Sequence, residues 1–143
     1  MKYIQQIIEE RGGFAAVQEN YIRIENEPFM RLVIEVIGGP YPNGAWEVSV
    51  AHYGEQNGDA MKDPEVTFLV LPTAAGLAWQ PLAYENSYAG AYDEACRVNR
   101  DGTLVICSSR AMAHIAEFVL MWDNNIAEQG FVAAARNTSK AEA

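Results

Sequence analysis

One imidazole and four carboxylates fall between positions 52 and 65, in the run His52-Tyr53-Gly54-Glu55-Gln56-Asn57-Gly58-Asp59-Ala60-Met61-Lys62-Asp63-Pro64-Glu65. An imidazole beside two carboxylates is a donor set for a divalent cation. His52, Asp59 and Asp63 are therefore the candidates for a metal that would activate water in a hydrolase. The spacing matches neither an EF-hand loop nor His-Glu-x-x-His. A histidine satisfied at a strand end, with loop acids bracing their own backbone, accounts for the same residues without a ligand. On that ground no catalytic residue, resident metal or cofactor is assigned.

The second chemical feature is the distribution of charge. The chain carries 19 acids against 10 bases, a net charge of -9. Between Gly44 and Cys96 stand Glu47, Glu55, Asp59, Asp63, Glu65, Glu85, Asp93 and Glu94, against Lys62 alone. A binder of phosphate backbone needs clustered Lys and Arg, so direct nucleic-acid binding is not expected. These eight acids are the candidate binding patch for a cationic protein partner, including one that itself binds nucleic acid. A solvated sheet face would give the same pattern. Tyr53, Tyr84, Tyr88 and Tyr92 are the aromatic candidates for an interface, either with a partner or with a second copy of the chain.

Other chemistries lack their parts. Gly38-Gly39-Pro40 has no Lys-Ser/Thr after it, and no G-x-S-x-G elbow exists. His52 and His114 are the only imidazoles available to activate a nucleophile. Cys96 and Cys107 are expected as thiols. The N-terminus does not read as a signal peptide, and no apolar run approaches a membrane span, so a cytoplasmic protein is expected.

The elements that must position these residues follow from periodicity. Ile4, Ile7 and Ile8 at helical spacing before Gly12-Gly13 predict a helix over 3–11. Alternating apolar residues predict strands at 21–25, 29–37, 45–53, 65–71 and 77–85, with polar loops at 54–64 and 72–76. Pro81 predicts an edge or a break. Asp101-Gly102 predicts a two-residue turn pairing Cys96 with Cys107 and Val98 with Val105, which places all four on one apolar face. Met112, Ile115, Val119, Trp122 and Ile126 predict a C-terminal helix capped by Ser108 or Ser109, with His114, Glu117, Asn124 and Glu128 on its polar side. The expected architecture is α+β: a single antiparallel sheet of about six to seven strands, with a short N-terminal and a long C-terminal helix on one face. Residues 1–132 form the domain and residues 133–143 a flexible tail.

The run H-Y-x-x-Q-N-G-D-x-M-x-D-P-E resembles a domain family of bacterial plasmids and other mobile elements. The likeness extends to Trp79-Gln80-Pro81-Leu82, Tyr84-Glu85-Asn86 and Tyr88-Ala89-Gly90-Ala91-Tyr92. It also takes in Met121-Trp122-Asp123-Asn124-Asn125-Ile126 and Gln129-Gly130-Phe131, covering about 100 residues from position 30 onward. The resemblance implies genomic company, namely conjugation, plasmid maintenance, or defence and counter-defence, and transfers no catalytic residue. The expectation is a non-enzymatic interaction protein, as an anti-restriction or anti-CRISPR inhibitor would be.

Overall fold

A computed structural model describes residues 1–142, with side chains through Asn137. The element order is α1 (Lys2–Glu10), α2 (Phe14–Glu19), β1 (Ile22–Asn26), β2 (Phe29–Gly38), β3 (Trp46–Gln56), β4 (Asp59–Thr73), β5 (Gly76–Asn86), β6 (Ala91–Glu94), β7 (Cys96–Val98), β8 (Leu104–Ile106), α3 (Ser109–Glu128) and α4 (Phe131–Glu142). Strands β1 to β6 form one antiparallel meander in chain order, while β7 and β8 form a separate pair. The expected α+β architecture is present. Sequential strands without crossover helices pair with their neighbours, and the helices cover one face.

That covered face is the core. Leu32, Ile34, Val48, Val50, Val66, Phe68 and Val70 alternate along β2, β3 and β4 and are fully buried. Ile4, Ile7 and Ile8 of α1 join them, as do Ile115, Val119, Trp122 and Ile126 of α3. Each such side chain contributes about 1.5–3 kcal/mol relative to exposure. The N-terminus of α1 is fixed by Asp123 of α3, whose carboxylate accepts from the backbone N–H groups of Tyr3 and Ile4 at 3.1 Å each. A carboxylate placed there satisfies donors that no helical partner reaches. Helix α3 starts as expected, with the Ser108 hydroxyl accepting from the Ala111 N–H at 3.1 Å. Among the described residues no helix is long and apolar enough to cross a membrane.

Two expectations are corrected. The polar loop at 54–64 is instead the distal half of the β3–β4 hairpin. It pairs from Tyr53 with Lys62 out to Gln56 with Asp59 around a two-residue Asn57-Gly58 turn. Asn57 at φ 54° and Gly58 at φ 84° supply the left-handed pair that a tight hairpin turn demands. The β7–β8 register is one residue off: Cys96 faces Ile106, Val98 faces Leu104, and the connection spans 99–103. In this register Val105 faces Arg97 and is exposed, as is Cys107, and Leu104 and Ile106 on the alternate phase are exposed as well, while Cys96 stays buried. Both cysteines are thiols. Residues 133–142, expected as a tail, continue α4, where Phe131 and Ala135 are buried. Position 143 of that tail lies outside the described residues. Pro81 sits at a register shift between β4 and β5, in the part of β5 that β6 does not pair, as an edge or break requires.

Candidate functional site

Cross-strand partners share a face of a sheet, and the register therefore sorts the eight acidic candidates. Glu65 pairs with Glu85 and Ala51, and Glu47 with Leu69, on the face away from the helices. Glu94 pairs with Ala83 on the same outer face. Asp93 pairs with Tyr84 and borders a cavity with His114, Ile115 and Phe118 on the helix side. Glu55 and Asp59 sit at the tip of the β3–β4 hairpin.

The outer-face acids are largely engaged. Lys62 Nζ reaches Glu65 Oε1 and Glu85 Oε2, both at 2.9 Å. Burial works against its charge, but the hydrogen bonds to Glu85 and Glu65 outweigh burial and hold the ammonium pKa above its usual value. The Ser49 hydroxyl donates to Glu65 Oε2 at 2.6 Å. Arg97 binds Glu94 at 2.6 Å, and the Tyr41 hydroxyl donates to Glu47. That last hydrogen bond leads the causes pushing Tyr41 up to about 12. Toward β1 the same face carries both signs, with Arg31 over the Tyr53 ring at 5.7 Å, Glu35 beside them, and Arg23 paired with Glu25 at 2.7 Å. The eight acids are thus divided among two faces and a hairpin tip.

The residue that strict alternation misplaces is Asp63. Counting back from Glu65 in twos puts it on the outer face. The register shift between Ala51 and Tyr53 inserts one extra residue in β4, however, and turns Asp63 inward beside His52. Bulges re-aim side chains in this way. Asp63 and His52 then border a cavity of about 270 Å³ between the hairpin, the start of β2 and α3. Its apolar walls are Phe29, Met30, Pro64, Phe118, Met121 and Trp122, and its polar groups are His52, Asp63, Asn125 and Gln129.

The geometry fixes what these groups offer. His52 Nδ1 lies 3.1 Å from the Met30 carbonyl, so this nitrogen carries the proton and Nε2 presents a lone pair. Burial holds the imidazole pKa below its usual value, against the opposing pull of the Met30 and Arg31 backbone and of Asp63. The Asp63 carboxylate accepts from Asn86 Nδ2 at 2.7 Å through Oδ1. The Trp122 indole N–H is buried without a hydrogen-bond partner among the described residues. Phe118 and Trp122 stack at 5.7 Å and 27°, and the His52 ring meets Trp122 edge-on at 5.7 Å. The site is aromatic, offers both hydrogen-bond acceptors and donors, and has no lysine or arginine among its lining residues.

Asp59, the third member of the expected metal set, lies at the hairpin tip opposite Gln56. Among the described residues no three His, Cys, Asp or Glu side chains gather as a metal site would require. Of the tyrosines, Tyr84 packs on Phe118 at 5.2 Å, Tyr92 pairs with Glu85 on the outer face, and Tyr88 is exposed beside Gly54 and Met30. Phe29, Met30, Phe118, Met121, Asn125 and Gln129 were not singled out as site residues from sequence. One signal was available: Met121 falls between Glu117 and Asn124 on the polar side of α3, where an apolar residue is out of phase.

Fold and site together define an α+β sheet domain with a cavity at the junction of hairpin and helix. Residues 2–132 match a domain of unknown function (DUF6908), and the chain belongs to that family. The match begins well before position 30, where the motif resemblance starts. It takes in all of the cavity-lining residues. No curated protein and no solved structure matches the chain.

Proposed function

We propose that the chain is a non-enzymatic interaction protein that docks a basic protein partner at the mouth of this cavity. The observation that carries the reading is the rim: Phe29, Met30 and Met121 stand 41%, 37% and 53% exposed around the polar groups His52, Asp63, Asn125 and Gln129. Adjacent exposed apolar side chains framing polar groups are what binding surfaces present, and methionine adapts to a partner's shape. Charge supports a cationic partner. Glu55, Asp59 and Asp63 share one hairpin, whose lysine is engaged by Glu65 and Glu85, on a chain of net charge -9. In its finer form, which leans on the mobile-element resemblance, the partner is a nucleic-acid-binding defence protein that the chain inhibits in a bacterial cytoplasm.

The test is affinity capture from a bacterial lysate at low and high salt, with wild type and Met121→Glu compared. The expected result is a discrete captured protein, lost with Met121→Glu and weakened by salt. An identical captured set with both chains would remove the cavity mouth as the docking site.

Self-association is a second reading with its own observation. Leu104, Val105 and Ile106 are all exposed along β8, which among the described residues pairs only with β7 and so keeps one free edge. Sedimentation of wild type against Val105→Lys decides it, a monomer in both cases removing the idea.

A further inference from the structure

Taking that docking reading as its basis, we propose that the cavity receives one arginine side chain of the partner. The guanidinium would lie against the stacked Phe118 and Trp122 rings, with its N–H groups on Asp63. Size sets the scale: about 270 Å³ is below the usual range of small-molecule pockets but ample for a single side chain. Charge sets the sign. Asp63 is the one carboxylate among the lining residues, which include no lysine or arginine, and burial holds the His52 imidazole pKa below its usual value. A phosphate or carboxylate entering there would meet a like charge in a site without a cation. Hydrogen-bonding capacity sets the shape: His52, the Asp63 carboxylate, and the Asn125 and Gln129 side-chain amides all carry groups able to accept, and they come from three segments of chain. Five N–H donors in a planar fork satisfy several acceptors at once and stack on aromatic faces, whereas a lysine ammonium is compact and strongly hydrated.

The experiment is a nuclear magnetic resonance titration of the full chain with capped Gly-Arg-Gly, Gly-Lys-Gly and Gly-citrulline-Gly peptides. Citrulline keeps the shape of arginine and removes its charge. With the arginine peptide the Trp122 indole and Asn125 side-chain amide signals should move saturably. Affinity should fall about tenfold for citrulline and by a similar factor in Asp63→Asn, while Asp63→Glu retains it. Should Asp63→Asn fail to fold, Asn125→Ala provides the second variant, with an expected severalfold loss. Equal shifts from citrulline and arginine, equal affinity for lysine, or no effect of either substitution would overturn the assignment. A silent arginine peptide, with capture still lost in Met121→Glu, overturns the arginine assignment and leaves the docking reading standing. Capture insensitive to Met121→Glu removes the docking reading itself.

Discussion

Two hairpins in this molecule carry nearly the same turn dipeptide, Asn57-Gly58 and Asp101-Gly102, and they do very different work. The first joins strands of 11 and 15 residues at the centre of the sheet. The second follows a connection at 99–103 and joins strands of three residues each, outside the main sheet. The difference lies in the flanks. Val48 and Val50 on β3, with Val66, Phe68 and Val70 on β4, are fully buried under the helices, whereas β8 offers Leu104, Val105 and Ile106 to solvent. A turn dipeptide decides where a chain reverses, and a continuous buried face decides how far the pairing then runs.

The largest expected effect contrasts the two flanks directly. Phe68→Ala removes a fully buried ring in edge-on contact with Trp79 at 5.4 Å and should cost about 3–5 kcal/mol in urea unfolding. Val105→Ala should stay within about 0.5 kcal/mol. Similar costs at the two positions would break the comparison. The turns themselves come next. Gly58→Ala meets nothing within 4 Å, so its cost is backbone strain at φ 84°, about 1–3 kcal/mol. Gly102→Ala, at φ 89°, adds a collision with the Asn43 side chain, which itself accepts from the Ala45 N–H at 3.0 Å. It should nonetheless lower global stability less than Gly58→Ala, because a short, exposed hairpin can open locally and shed strain without unfolding the sheet. Amide exchange in Gly102→Ala should accelerate at 96–106 and stay unchanged through β3 and β4. Uniform acceleration would show that the two hairpins unfold as one unit.

The same contrast explains what could be read from sequence. The α+β architecture was legible because alternation and helical stripes are strong where one face is buried: α1 begins and ends within a residue of the expectation, and Ser108 caps α3. The distal half of the β3–β4 hairpin was not, because Glu55, Gln56, Asp59 and Lys62 extend past the core and leave no apolar face to alternate. The β7–β8 register failed because the turn dipeptide fixes a position but not a loop length, and one residue reverses every side chain. The cavity was the least legible part. Asp63 reaches it only through the bulge opposite His52, and its walls come from segments some 100 positions apart that no local pattern joins.

The smallest effect sharpens the comparison at that bulge, since the first hairpin holds a buried imidazole and the second has no histidine. Folding holds the His52 imidazole pKa below its usual value of about 6.5, chiefly through burial, with Asp63 the facing charge that opposes the shift. Between the two pKa values the unfolded chain binds a proton that the folded chain does not. Stability from this group is therefore full above about pH 6.5, and it falls as the pH drops toward the folded value. One proton limits the slope to about 1.4 kcal/mol per pH unit. In His52→Gln, whose amide can still donate to the Met30 carbonyl, the acid-side loss should shrink relative to wild type across that window. Subtracting the two urea titrations cancels the carboxylates common to both chains. A difference flat from pH 7 to 5 would mean that His52 titrates in the fold as it does in water, and the cavity would then be a wetter and more polar place than its aromatic walls imply.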